Sequence, residues 1–256
     1  MWRQFLTFIV IWNGSMHASY ADFLQFVEIK QGHKDNEAVL KILYDEFLDG
    51  LTPCRQPNLI AVGGSPGSGK TTFRKTFLNM KNVHLHDMDE VMVRLPGYKV
   101  DLQAIGAKRA FETWWPKARE ISQLLVQFAM ESDFSIIYDR TCGAEGSYFD
   151  LKQAKERGYA IRLIGLYVDK AVAKERILKR EKEEGRVITE AILDEYRARF
   201  SALWPYYLEL VDEAALYQTN LETPRLIFSS NEGIQDEEAY RAFLLEGESF
   251  RLPFIT

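Results

Sequence analysis

Residues 60–75 read IAVGGSPGSGKTTFRK, an apolar run that enters a glycine-rich loop and continues into a helix-like segment. Few local patterns restrict a fold so strongly. Gly64, Ser65, Pro66, Gly67, Ser68, Gly69, Lys70 and Thr71 complete the spacing G-x-x-x-x-G-K-[ST], with Thr72 following. Glycines let successive backbone N–H groups converge on phosphate oxygens, and the helix behind them presents its unpaired N–H groups and positive dipole end to the same anion. In such a loop Lys70 reaches the β- and γ-phosphates and Thr71 ligates Mg2+. The expected ligand is ATP, because no N-K-x-D-like guanine-reading tetrapeptide stands where a GTPase would carry one.

The apolar run before the loop reads as a buried strand, and similar runs recur at 82–87, 134–139, 161–168 and 225–230, with helical patterns between them. Continuous apolar strands alternating with helices predict a three-layer α/β fold of the P-loop NTPase type, its central parallel sheet covered on both faces. Ligands in that architecture sit at the carboxyl ends of the strands. Ile121, Leu124, Leu125 and Phe128 share one helix face, and Pro116 is expected to open that helix after a break behind Trp114 and Trp115. The organisation expected is an accessory helical segment at 22–55, a P-loop kinase domain at 56–230 and a C-terminal helical tail at 231–256.

Residues 1–21 admit three readings: a secretory signal peptide, with Arg3, the apolar run Phe5 to Trp12 and the small-residue ending Ser19-Tyr20-Ala21, an N-terminal helix packed on the domain, or a start codon placed too early with Met16 as the first residue. The run is too short to span a membrane as a mature helix, so no integral span is expected. The need for ATP favours a cytoplasmic setting, with export the alternative. A formal charge of -5, from 32 Lys and Arg against 37 Asp and Glu, argues against broad binding to nucleic acid. Cys54 and Cys142 lie far apart without a clustered His or Cys partner, which gives neither a disulfide framework nor a structural zinc site.

Three stretches supply chemistry to the acceptor side. Beyond the second strand, HDMDEVMVRLPGY carries Asp87, Asp89 and Arg94. A carboxylate there can take the proton of an attacking hydroxyl, and an arginine nearby can hold an anionic acceptor; equally, Asp89 can serve as the N-cap of a short helix. The third strand ends IIYDRTC, where Asp139 matches the acidic residue that positions Mg2+, with Arg140 and Thr141 just beyond it. Arg176 and Arg180 share a helix face, and Arg186 follows Gly185, so the three can fold over a triphosphate as a lid.

In that order, GGSPGSGKTT, DMDEVMVRLPGY, YDRT, an arginine-bearing helix and EGRVITEAI, the sequence resembles the zeta-toxin family of P-loop kinases across roughly residues 58–220, including Asn220 of LYQTN. The resemblance implies phosphorylation of a hydroxyl of a small molecule, a nucleotide sugar such as UDP-N-acetylglucosamine, and an antitoxin-like protein partner. It places Lys70 on the phosphates, Asp89 as general base, Arg94 near the acceptor, and Arg176 or Arg180 with Arg186 as phosphate-stabilising arginines. Two departures stand out. The family's Glu-x-Thr acceptor pair is replaced by Asp139-Arg140-Thr141, and its His-Pro by Leu95-Pro96, which implies an altered acceptor pocket that Trp114 and Trp115 could also line. A regulatory P-loop ATPase that acts through a partner is the other class compatible with these motifs.

Overall fold

The structure, a computed structural model, describes residues 18–31, 37–184 and 187–252, so Arg186 and the segment read as a leader, through residue 17, lie outside the described residues. The elements run α1 (Tyr20–Gln31), α2 (Glu37–Phe47), β1 (Asn58–Gly64), α3 (Lys70–Phe77), β2 (Val83–His86), α4 (Met88–Arg94), α5 (Pro96–Ile105), α6 (Ala107–Glu131) and β3 (Ser135–Asp139). They continue as α7 (Glu145–Glu156), β4 (Ala160–Tyr167), α8 (Lys170–Glu184), α9 (Glu190–Leu210), β5 (Glu213–Gln218), β6 (Arg225–Ser229), β7 (Gly233–Ile234) and α10 (Glu237–Leu245). The strands form one sheet in the order β2-β3-β1-β4-β5-β6-β7, parallel from β2 to β5.

β1 is central because both of its faces are covered: Leu59, Ala61 and Val62 have no exposed surface, and the strand pairs with β3 on one side and β4 on the other. An α/β sheet of this kind aims its strand ends at one rim, where the glycine loop, Asp139 and the start of α4 all emerge. The last two strands differ from expectation. β6, over the run read as one more parallel strand, is antiparallel to β5, since the short connection 219–224 permits a direct return but not a helical crossover. β5 itself escaped the sequence reading because EAALYQ alternates buried and half-buried positions, and its short apolar stretch of two alanines, a leucine and a tyrosine follows directly on the helical pattern of α9.

A second difference concerns Pro116, which lies inside α6 rather than at its start. The break falls earlier, at Gly106, whose φ of 82° favours glycine. Pro116 and Glu112, whose backbone bond the proline removes, lie on the exposed side of α6, while Ala118, Ile121, Leu124, Leu125 and Phe128 are buried on the other. Packing of that apolar face carries the helix through the missing hydrogen bond.

The helices α1 and α2 join the same hydrophobic core as the sheet. Phe23 and Phe26 pack edge-on against Phe128 of α6 at centroid distances of 5.2 and 5.5 Å, and the Tyr44 hydroxyl donates to the Ala18 carbonyl at 2.6 Å. At the other end of the core, Phe243 of α10 meets Phe200, Trp204 and Tyr167. Cys54 and Cys142 are both free thiols.

β2 contributes two histidines to this interior. Burial pushes His84 down to about 4 and His86 well below its ordinary value, with the Arg140 charge adding to the second shift. The folded state therefore holds both rings neutral while the unfolded chain protonates them below 6.5. The contribution of these two neutral rings is fully present above that pH and is lost as pH drops from 6.5 towards 4; the raised carboxyls Asp87, pushed up to about 6, and Asp139 act in the opposite direction. Urea titrations across this window should show the wild-type midpoint falling more steeply on acidification than that of His84→Gln, and parallel slopes would contradict the assignment.

Candidate active site

The glycine loop is built as a cradle. Gly64, Gly67 and Gly69 have φ of 144°, 79° and 86°. A Cβ on Gly64 would come within 2.5 Å of the Leu166 carbonyl, and one on Gly67 within 2.7 Å of the Ala173 carbonyl, so β4 and α8 back directly onto the loop. Side chains at these positions would collide with backbone that cannot move. Lys70, at the start of α3, donates to the carbonyls of Gly64 at 2.9 Å and Ser65 at 3.1 Å, which folds its ammonium back over the loop. Thr71 and Thr72 are exposed in the first turn of α3, and Ser68 Oγ is buried inside the loop with no hydrogen-bond partner.

Strand pairing sets the acidic residues around this cradle. Asp139 ends β3 opposite Val62 of β1, and the Thr141 carbonyl accepts from the Gly64 N–H at 3.0 Å, which ties the strand end to the loop. At the β2 end, Asp87, and not Asp89, caps α4: Asp87 Oδ1 accepts from the N–H groups of Asp89 at 3.0 Å and Glu90 at 3.4 Å. Asp89 thus keeps its carboxylate out of the cap. Arg180 of α8 brings its guanidinium within 3.8 Å of Asp89 Oδ2. Burial raises both Asp87, to about 6, and Asp139, with Lys70 and Arg74 pulling Asp139 back down.

The predicted arginines divide by location. Arg176 donates to the Gly67 carbonyl at 3.2 Å and the Thr219 carbonyl at 2.7 Å, so it braces the loop. Arg180 faces Asp89, and Arg186 is outside the described residues. Arg140 shares a 3.1 Å contact with His86 Nε2, while Ser122 Oγ sits 3.1 Å from His86 Nδ1. An arginine can only donate, so the Nε2 atom accepts and Nδ1–H donates to Ser122. Arg94 is engaged by Glu46 Oε1 at 2.8 Å and Glu90 Oε2 at 2.7 Å, and lies over the Phe47 ring at 5.1 Å, which makes it a clamp between α2 and α4.

The tryptophans are placed by helix packing. Trp114 donates to Asp101 Oδ2 at 2.8 Å, presses on Gly97, where a Cβ would lie 2.1 Å from its ring, and lines a cavity of about 300 Å³ with Val39, Leu40, Leu95 and Pro96. Trp115 stacks on Phe111. None of the loop or strand-end residues lines that cavity.

Two residues went unnoticed in the sequence. Arg74, one turn past Lys70, is buried and paired with Asp139 Oδ2 at 2.9 Å and Asp87 Oδ2 at 3.1 Å; its spacing from Lys70 was the available signal. Thr219 Oγ1 donates within reach of the Ser68 carbonyl at 2.8 Å and the Tyr167 carbonyl at 3.1 Å, fastening the loop to the end of β4, whereas the predicted Asn220 accepts from the Asp169 N–H at 2.8 Å.

The site fits a nucleotide. It offers a loop whose Gly64 and Gly67 leave no room for a Cβ against β4 and α8, a buried hydroxyl without a partner inside it and an ammonium at its mouth. Magnesium is compatible with the donors at hand, Thr71 and Asp139, because Mg2+ commonly takes one or two protein oxygens and completes its shell with phosphates and water. Among the described residues no cluster of three or more His, Cys, Asp or Glu is disposed to hold a metal by itself, and no helix is long and apolar enough to cross a membrane.

A family model described as Zeta toxin matches residues 44–204. Among solved structures, a chain from the PezAT chromosomal toxin-antitoxin system of Streptococcus pneumoniae is similar at a TM-score of 0.64 and 20% identity, covering 84% of this chain and 88% of that one. The AvrRxo1-ORF1:-ORF2 complex with ATP is similar at 0.65 and 16% identity, covering 93% of this chain and 81% of that one. At these identities the likeness shows the fold. No curated protein matches the chain.

Proposed function

This chain belongs to the zeta-toxin family of P-loop kinases, an ATP-dependent phosphotransferase, and we propose that its acceptor is a hydroxyl of a nucleotide sugar, with UDP-N-acetylglucosamine the leading candidate. The observation that carries the reading is the division of labour between two carboxylates: Asp87 caps α4, and Asp89 is left facing the Arg180 guanidinium. One group fixes the helix and the other can do chemistry.

In this reading Asp89 takes the proton of the acceptor hydroxyl as that oxygen attacks the γ-phosphorus, and the bond to the departing ADP breaks. Lys70 and the loop N–H groups hold the phosphates, while Arg180, and Arg186 if it closes over the site, meet the charge that grows on the transferring group. Magnesium, held by Thr71 and Asp139 together with the phosphates, would neutralise the same oxygens. Arg140, in contact with neutral His86, and Thr141 would grip the acceptor. A guanidinium fork suits phosphate oxygens better than a neutral lipid or a peptide serine, which favours a nucleotide-linked acceptor. The toxin-antitoxin and ORF1:ORF2 complexes among the similar structures further support an antitoxin-like protein partner.

Purified protein incubated with Mg2+, labelled ATP and a panel of nucleotide sugars, free sugars, nucleosides and proteins tests the reading, with the product identified by mass. Label on a nucleotide sugar is the expected result. Label only on protein, or only as free phosphate, would replace the sugar-kinase reading with the regulatory ATPase.

A further inference from the structure

We propose that Arg74 is the positioning residue that locks the helix carrying Asp89 to the phosphate loop, so that it acts on transfer through Asp89 without touching substrate; this rests on the reading of Asp89 as the base. Arg74 lies one turn beyond Lys70 on α3 and is buried, so its guanidinium points towards the ends of β2 and β3 and not into solvent. Its fork is shared: Nε donates to Asp139 Oδ2 at 2.9 Å, and Nη2 donates to Asp87 Oδ2 at 3.1 Å, with Glu90 Oε1 at 3.8 Å. Asp87 then uses its other oxygen on the N–H groups of Asp89 and Glu90. The chain of contacts runs from the loop helix α3, through Arg74 and Asp87, into the first turn of α4, where Asp89 sits.

α4 needs such a tether. Its apolar residues Met88, Val91 and Met92 are buried, but apolar contact is non-directional and sets depth better than rotation about the helix axis. Hydrogen bonds at the first turn fix that rotation. A buried ion pair adds little to stability against a well-packed apolar replacement, so stability alone is a weak reason for a buried arginine here. All three of its carboxylate partners stand at strand ends or in the first turn of α4, at the site itself. Lysine cannot replace the fork, because one ammonium on a flexible stem does not hold two carboxylates in fixed directions.

The test compares Arg74→Lys, Asp87→Asn and Asp89→Asn singly, and each of the first two combined with Asp89→Asn, by phosphoryl transfer, by binding of a fluorescent ATP analogue and by urea denaturation. Asn at 87 keeps the capping oxygen and removes the anionic oxygen held by Arg74. Arg74→Lys and Asp87→Asn should each slow transfer on the order of a hundredfold, the loss expected when a catalytic group is misplaced by about 1 Å. Nucleotide affinity should stay close to that of the wild type. In the Asp89→Asn background both should add almost nothing, because residues that act as a unit are not additive. Equal proportional losses in both backgrounds, or parallel loss of affinity and transfer, would overturn the proposal, as would a loss accounted for by the unfolded fraction. If the wild type transfers to no acceptor, the kinase reading fails separately; the tether is then scored by amide hydrogen exchange at Asp89 and Glu90, whose N–H groups Asp87 holds, where faster exchange in Arg74→Lys supports it and unchanged exchange refutes it.

Discussion

Lys70→Ala is expected to cut phosphoryl transfer by about a thousandfold or more, since removal of one preorganised group that meets transition-state charge costs of that order. The geometry argues for a specific loss. Lys70 Nζ donates to the loop carbonyls of Gly64 at 2.9 Å and Ser65 at 3.1 Å, and both lie at the cradle that would hold the triphosphate. A nucleotide entering the cradle offers the ammonium far stronger partners than two carbonyls, so its charge moves onto the β- and γ-phosphates. The fold rests elsewhere, on the buried faces of β1 and β4 and on the glycines whose neighbours leave no room for a Cβ. Urea denaturation of the variant should therefore match the wild type within about 0.5 kcal/mol, as for substitutions away from the core. Transfer within tenfold of the wild type would contradict the role given to the loop.

The cradle could be read from sequence because its chemistry is local. The spacing of Gly64, Gly69, Lys70 and Thr71 needs only one strand and one helix to acquire meaning. The parallel core was legible for a related reason: strands buried on both faces announce themselves as unbroken apolar runs, as in LIAV and IIY. What could not be read were the relations set by packing between distant segments. Arg74 is an ordinary helix residue until β3 and β2 bring Asp139 and Asp87 to it across 65 and 13 positions. Arg94, expected near the acceptor, is drawn by Glu46 of α2 into a clamp that spans 48 positions. The cap, expected at Asp89, belongs to Asp87, because two acids of the same type two positions apart offer the same local signal and only the entry angle of the chain chooses between them. α6 ran past Pro116 because its apolar face was worth more than one backbone hydrogen bond, a balance invisible to a rule about proline alone.

Asp89→Asn is the substitution that separates the two functional classes, and it is expected to lower transfer by roughly 10²- to 10⁴-fold, the range for loss of a general base. Size and backbone are preserved, so the loss follows from basicity alone: an amide oxygen in the same place cannot take the acceptor proton. Stability should barely respond. The cap of α4 belongs to Asp87, and the Asp89 side chain is 38% exposed with its Arg180 partner 3.8 Å away at 43% exposure. Such a pair in contact with solvent contributes about 0–1 kcal/mol. Binding of ATP should also persist, since the loop, Lys70 and Arg176 are untouched and Arg176 is braced on Gly67 and Thr219 rather than on Asp89. The combination of intact fold, intact nucleotide binding and lost transfer belongs to a kinase. A P-loop protein that signals through a partner by slow hydrolysis has no acceptor hydroxyl to deprotonate, so the same change would leave its function nearly whole. Measuring transfer and nucleotide affinity on one preparation decides between them, and retention of transfer by Asp89→Asn would remove Asp89 from the base position and return the choice to the remaining carboxylates at the strand ends, Asp87 and Asp139.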